Sequence, residues 1–407
     1  MQKTTQPTIE EMNELFLESS RHHQNGLLDA AESGYQRLLD YFPEAPMLHF
    51  NLGLVYYEQG EYENGRDSFA RAADLSPDDM DILFNLGLTQ KKTGDPEGAI
   101  VSYRRILETD PESIDTLYNL AGCYKDSGEN AKAIKTYLEL LRYAPDHLSA
   151  ISNLAFVYHI AGGTEQAVYY YKKVLEFTPD HQAAKHMLAA LTGSESVEPP
   201  ESYVRDIFDN YSSHYERSLV VELEYRVPAT IRELLDERTD WKKSYNHGLD
   251  LGCGTGLGAQ AFYDMINVFD GVDLSEKMIA MAAAKNLYRK LVADNIIHFL
   301  RSSPDSYDFY LASDVFAYVG DLEATFSLLR DRACRDVLFC FSTEHLDGSG
   351  YRLQQTGRFA HTPAYIEKVA RATGWRVAAC RKASLRKEKG SWVEGDLWFL
   401  QLTDNSR

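Results

Sequence analysis

The 407-residue chain contains no apolar run approaching the roughly 20 residues needed to cross a bilayer, which excludes a membrane-spanning helix. Its amino terminus, MQKTTQPTIEEMNELF, has no basic stretch followed by an apolar one, so no secretory signal is expected. Cysteines are few and scattered. Cys123, Cys253, Cys334, Cys340 and Cys380 make an odd number, and no pair has metal-ligand spacing. No metal site is therefore expected, and free thiols in a reducing cytoplasm are the simplest reading. Positive charge is also scarce. Lys and Arg total 42 against 61 Asp and Glu, a net charge of −19 that repels phosphate backbones. Neither nucleic acid nor a membrane is expected as a partner. Hydrophobic residues at 44% and charged residues at 25% suit a chain that buries a core, which excludes wholesale disorder. The length fits two or three domains.

What the first half does contain is a repeat. Pro43, Pro77, Pro111, Pro145 and Pro179 are spaced by 34 residues throughout. Twelve positions before each comes a small residue (Ala31, Gly65, Ala99, Ala133, Ala167), and eight before comes an aromatic (Tyr35, Phe69, Tyr103, Tyr137, Tyr171). Asn-Leu-small triplets such as Asn51-Leu52-Gly53 and Asn119-Leu120-Ala121 mark four of the five units. The small residue lets two helices approach, the aromatic fills the space beside it, and proline stops the second helix. The pattern resembles the tetratricopeptide repeat from about Met12 to His181, with Ser19 in the first unit where the others have Gly or Ala. Gln182–Leu191 reads as an amphipathic helix capping the far end, so residues 1–191 form the first domain. Asn51, Asn85, Asn119 and Asn153 recur at one position, and their amides suit either an extended peptide backbone or local bonds between helices.

Residues 192–201 (TGSESVEPPE, ending at Glu201) are polar and proline-containing, the composition of an exposed linker. From 202 to 407 the period disappears and short apolar runs alternate with helical stretches: Gly248–Leu251, Asn267–Val272, Phe309–Leu311, Val337–Phe341, Arg376–Ala379 and Leu397–Leu402. Alternation of this kind implies a doubly wound, mostly parallel α/β sheet. Its strongest chemical signal is Asp250-Leu251-Gly252-Cys253-Gly254-Thr255-Gly256, a strand running into a glycine turn and then a helix. Glycines there permit positive backbone angles and close approach of a ligand. Asp273, ending the next apolar run, follows Asp250 by 23 residues, the distance at which a second-strand acid meets ribose hydroxyls in a nucleotide site.

Gly254-Thr255-Gly256-Leu257-Gly258-Ala259 formally matches the dinucleotide fingerprint G-x-G-x-x-A, yet Asp250 precedes the first glycine where that fingerprint has an apolar strand. Asp-Leu-Gly-Cys-Gly-Thr-Gly resembles the first motif of class I methyltransferases dependent on S-adenosylmethionine (SAM). Gly271-Val272-Asp273-Leu274-Ser275 with Met278 resembles the second. The whole chain thus looks like bacterial methyltransferases carrying tetratricopeptide repeats: an all-α superhelix followed by a Rossmann-like class I methyltransferase domain. The resemblance implies SAM as cofactor. It places Asp250, Leu251, Gly252, Gly254 and Gly256 beside its methionine end, Asp273 on the ribose, and Leu274 and Asp294 at the adenine. Ser313 and Asp314 end the fourth strand, near the sulfonium.

In-line alignment supplies much of the rate of methyl transfer, and a general base is needed only for a protonated acceptor. Candidates are Tyr211, in the aromatic segment Phe208-Asp209-Asn210-Tyr211 with His214 and Tyr215 where related enzymes close a lid, then Tyr318, and His361 on the loop after the fifth strand. Each has a plain structural reading as well; Phe208 and Tyr211 lie three apart on a helix, and His361 precedes a helix start at Thr362-Pro363. No double-glutamate loop and no Asn-Pro-Pro-Tyr string occurs, and Asp314-Val315-Phe316-Ala317-Tyr318 misses an Asp-x-x-Tyr motif by one residue. A small molecule and a protein side chain both remain as acceptors, and the repeats favour a protein or peptide partner. The rival readings are a repeat scaffold with a degenerate methyltransferase domain and an NAD(P)-dependent oxidoreductase.

Overall fold

A computed structural model describes residues 8–194, 199–211, 223–238, 241–388 and 390–403, except the side chains of Asp206, Asn210 and Tyr211. The chain divides into two compact units, Met1–Pro179 and Asp180–Arg407.

The first unit is five helical hairpins: α1 (Ile9–Gln24) with α2 (Leu28–Leu39), α3 (Pro46–Gln59) with α4 (Tyr62–Leu75), α5 (Met80–Lys92) with α6 (Pro96–Thr109), α7 (Ile114–Asp126) with α8 (Asn130–Tyr143), and α9 (Leu148–Ile160) with α10 (Thr164–Phe177). Side chains start several of them. Thr8 and Glu11 form a capping box on α1, and Asp79 accepts from the backbone N–H groups of Asp81 and Ile82 at 3.0 and 3.1 Å. The repeat's small and aromatic positions are buried in all five units. Their fit is tight: a β-carbon on Gly53 would lie 2.8 Å from the Phe69 ring, and one on Gly87 2.7 Å from Tyr103. A further 34-residue register that the sequence reading missed is the turn inside each hairpin, where Gly26, Gly60, Gly94, Gly128 and Gly162 adopt left-handed φ of 71–83°. The departure at Ser19 has a local answer. It faces Gly34, whose β-carbon would fall 2.0 Å from Ser19 Oγ, so the smaller residue sits on the other helix.

The second unit begins earlier than expected. Helix α11 (Gln182–Thr192) was expected to cap the repeats, but it falls in the second unit. There Ala190 packs with Leu353 and Phe359, and His186 Nε2 lies 2.9 Å from the Gly357 carbonyl. An amphipathic face says that a helix packs, and not against what. The expected linker at 192–201 therefore falls inside the second unit instead of between the two, and its residues 195–198 lie outside the described residues.

After α12 (Glu201–Tyr211) and α13 (Val227–Glu237) comes a nine-stranded sheet. Strands β1 (Tyr245–Leu251), β2 (Ile266–Asp273), β3 (Lys290–Ala293), β4 (Tyr307–Ala312) and β5 (Ala333–His345) are parallel in the order 3-2-1-4-5. A long hairpin, β8 (Trp375–Glu388) and β9 (Ser391–Leu402), closes the other edge, with β9 antiparallel to β5. The segment Tyr351–His361, expected as loop, is a second hairpin of β6 (Tyr351–Leu353) and β7 (Phe359–His361); β7 pairs with the last two residues of β5 beyond the end of β4.

Helices α13 and α14 (Leu257–Phe262) cover one face through Ile231, Leu235, Ala259 and Phe262, packed on Phe309 and Leu311. The other face buries Phe299 of α16 (Ile296–Ser302), Phe326 of α17 (Glu323–Asp331) and Ile366 of α18 (Pro363–Ala372) against Tyr310, Phe339 and Phe341. All six residues of β4 are buried, as a central parallel strand covered on both faces requires. Helix α15 (Glu276–Ala284) follows β2, and Ser275 caps it by accepting from Met278 N–H.

Candidate cofactor site at the carboxyl ends of the strands

The glycine turn between β1 and α14 is left-handed at Gly252, Gly254 and Gly256, with φ of 62°, 50° and 89°. A β-carbon on Gly252 would lie 2.5 Å from Val315 Cγ2, whereas one on Gly254 would meet nothing within 4 Å. Gly252 therefore answers to packing, and Gly254 leaves space on its open side.

Asp273, at the end of β2, ties the turn down. Its Oδ2 accepts from Gly254 N–H and its Oδ1 from Ser275 N–H, each at 2.9 Å. A carboxylate offers about four acceptor positions, so further acceptor capacity remains for a diol. Burial raises the Asp273 pKa, partly offset by these N–H bonds. Asp250 lies deeper, only 2% exposed, where its Oδ2 accepts from the Tyr288 hydroxyl at 2.7 Å. Burial pushes its pKa up to about 7. A β-carbon on Gly258 would fall 2.3 Å from Asp250 Oδ2, so the acid supports the turn from beneath. Leu274 is half-buried beside Asp273. Asp294, just after β3, has its carboxylate 2.7–2.8 Å from His298 Nδ1 and from the Asn295 N–H.

At the end of β4 stands Asp314, a non-glycine residue at φ 62°, whose N–H donates to Ser342 Oγ at 2.8 Å. A left-handed aspartate is costly enough to need external support. Arg386 Nη1 supplies it at 2.5 Å from Asp314 Oδ1, while the same guanidinium bonds Glu344 and, through Nε at 2.9 Å, Glu388. Arg358 repeats the arrangement, with Nε 2.8 Å from Glu344 and Nη2 on Glu388. Sequence reading missed this group; the one local trace is Arg386 and Glu388 two apart on β8, hence on one face. Burial raises Asp314, opposed by Arg386.

The catalytic candidates separate. Tyr318, in a 3-10 turn at Phe316–Tyr318, packs edge-on to Phe208 at 5.4 Å, and burial raises its pKa to about 12. Tyr211 ends α12, and its side chain lies outside the described residues, as do His214 and Tyr215. His361 is fully buried in β7, its Nε2 3.0 Å from the Gly320 carbonyl, and burial lowers its pKa to about 4. It is thus a neutral core group beside Thr362, which caps α18. Helix α12 meets the segments that follow β2 and β3: Asp209 accepts from Ser275 Oγ at 2.5 Å, and Glu201 accepts from Asn295 Nδ2 at 2.8 Å.

The residues fit a nucleoside cofactor on two further observations. The hydroxyls of Thr255, inside the glycine turn, and Ser313, at the end of β4, are buried with no hydrogen-bond partner among the described residues. Buried polar atoms of this kind are rare unless a ligand or water completes them.

In the repeats, Asn85 and Asn119 donate to the carbonyls of Asp81 and Asp115 within their own helices, at 2.8 and 2.9 Å. Asn153 donates to the Tyr118 hydroxyl at 3.1 Å. A concavity of about 500 Å³ between α6, α7 and α8 is lined by Arg104, Leu120, Tyr124, Lys132 and Lys135 among others. Among the described residues no cluster suits a metal, and no helix is long and apolar enough to cross a membrane.

This architecture defines an α-helical repeat array followed by a Rossmann-like sheet with its glycine turn at the first strand. Profiles described as tetratricopeptide repeat match residues 18–79, 59–114 and 91–155, and one described as methyltransferase domain matches 249–335. The chain is a fusion of tetratricopeptide repeats to a methyltransferase domain. Solved structures similar to it include MamA (23% identity, 42% of this chain and 92% of that one, TM-score 0.40). YrrB, titled a TPR protein with an unusual peptide-binding site, has 21% identity over 42% of this chain and 89% of that one, TM-score 0.40. No curated protein matches.

Proposed function

We propose that the protein is a SAM-dependent methyltransferase whose repeats recruit a protein partner that is, or carries, the methyl acceptor. The observation that carries the cofactor reading is Asp273, which braces the glycine turn through two N–H bonds and keeps acceptor capacity for a ribose diol. Gly252, Gly254 and Gly256 would hold the methionine end, Leu274 and Asp294 the adenine, and Asp314 would lie toward the sulfonium. Bound SAM supplies a methyl group already activated on a sulfonium. The chain's own part is then alignment and exclusion of water. Helix α12, anchored through Asp209 and Glu201, is placed to cover the edge of the site. Tyr318, protonated at neutral pH, serves as a hydrogen-bond donor and aromatic wall and not as a ready base.

Titration calorimetry with SAM, S-adenosylhomocysteine and NADH tests the reading. Saturable binding of the first two without NADH supports it, NADH alone makes the protein an oxidoreductase, and silence from all three leaves a repeat scaffold. Asp273→Ala should weaken SAM binding on the order of 100-fold, because hydrogen bonds to an ionised acceptor contribute about 1.5–3 kcal/mol each. Circular dichroism should stay native. Unchanged affinity would remove Asp273 from the site.

A further inference from the structure

The ion cluster at the end of β4 does not balance. Asp314, Glu344 and Glu388 bring three carboxylates, and Arg358 and Arg386 bring two guanidiniums, so the group holds one excess negative charge. Its centre is withdrawn from water, the side chains of Arg386 and Glu344 being 4% and 8% exposed, and its rim is half-buried, with Arg358, Asp314 and Glu388 at 17%, 21% and 28%. Salt therefore screens it weakly, and its field reaches neighbouring atoms more fully than that of a surface pair. Lys387, the next residue on β8, does not neutralise it, being paired with Glu224 at 2.6 Å. The excess sits where β4 ends, in contact with the backbone that carries Ser313 and its unpartnered hydroxyl.

A methyl donor of the sulfonium type carries one positive charge that its demethylated product lacks. Methyl transfer moves the methyl carbon to the acceptor and leaves the sulfur neutral with the electron pair of the broken bond. We infer that this cluster sets the site's preference for the cationic methyl donor over its neutral product, with Arg358, Arg386, Glu344 and Glu388 acting as positioning and specificity residues. The inference rests on the cofactor reading above. Two features support it together. Arg386 binds Asp314 in its left-handed conformation, fixing one carboxylate at the strand end, and the shared guanidiniums keep Glu388 below the usual carboxylate range despite its burial, while at Asp314 burial raises the pKa and Arg386 and Arg358 oppose it. The cluster also joins the β6–β7 turn and the β8–β9 hairpin to β4 and β5, so its geometry is set by the whole sheet edge.

The test is titration calorimetry of the full chain with SAM and with S-adenosylhomocysteine, reading the ratio of the two affinities. The wild-type chain should bind SAM at least as tightly as the product. Glu388→Gln removes the surplus charge and should lower the SAM-to-product preference on the order of tenfold. Arg358→Met deepens the surplus and should move the ratio the opposite way. Structural damage would weaken both ligands together and leave the ratio fixed, and that result overturns the inference. So does a wild-type chain that binds the product tenfold more tightly than SAM. If the wild-type chain binds neither ligand, the cofactor reading falls and this inference with it; two bound ligands with an unmoved ratio defeat the inference alone.

Discussion

Two buried titratable residues place opposite pH dependences in the same window. The pKa of His361, lowered by burial to about 4 from 6.5, leaves its stabilisation whole above pH 6.5 and lost as pH falls toward 4. Asp250, raised by burial to about 7 from 3.8, contributes stability that is whole below about pH 4 and lost as pH rises toward 7. Each is worth on the order of 3 kcal/mol across its window, with opposite sign. Thermal unfolding from pH 4 to 7 should therefore separate them by variant. Relative to wild type, His361→Gln should gain stability as pH falls from 6.5, and Asp250→Asn should gain it as pH rises from 4. Parallel curves for either variant would refute the assignment of that residue. The motif residues Asp250 and Asp273 were legible in the sequence. Tyr288, on which Asp250 depends, was not, because no spacing rule links a carboxylate to a hydroxyl 38 residues away.

At the scale of elements, the first repeat exchanges volume across its helix pair. The position held by Gly53 and Gly87 is Ser19, and the partner position held by Ser68 and Ser102 is Gly34. The β-carbon missing from Gly34 would sit 2.0 Å from Ser19 Oγ. Gly34→Ser should thus destabilise the protein by about 1–3 kcal/mol, as overpacking does. Adding Ser19→Gly should recover most of that loss despite the helix cost of glycine, giving a non-additive cycle in chemical denaturation. Additive losses would mean that the two positions do not share space. The sequence marked Ser19 as a departure from the pattern, but only the packed helices identify its complement. The β6–β7 hairpin was missed for a similar reason. Its three-residue strands are too short for an alternation signal and exist because the end of β5 projects beyond β4 and offers an unpaired edge.

For the whole molecule, charge is distributed unevenly along the chain. Residues 1–179 carry 28 acidic and 15 basic side chains, so most of the net −19 belongs to the repeats. A protein partner drawn to them should be basic, with binding that weakens as salt rises. The asparagine ladder gives this a residue-level test, since the amides of Asn85 and Asn119 spend one N–H locally and keep their carbonyl oxygens. Peptides that bind the full chain in a screen should be rich in Lys and Arg, and Asn85→Ala with Asn119→Ala should weaken them several-fold. Acidic or neutral peptides, or indifference to both substitutions, would turn attention to the concavity lined by Arg104, Glu108, Lys132, Lys135 and Glu139.

The sequence by itself determined the repeat architecture, the order of the parallel strands' motifs and the glycine turn. These are written in short-range patterns: a 34-residue period, a strand-turn-helix string, and acids at strand ends. Tertiary structure decided what depends on partners distant in the chain. It assigned α11 to the second unit, buried His361 as a neutral core residue, and gathered Asp314, Glu344 and Arg358 with Arg386 and Glu388 of β8 into one cluster. Hydrophobic periodicity is a property of neighbours along the chain, whereas an ion pair spanning 72 residues exists only once the sheet has brought Arg386 of β8 to the residue that follows β4.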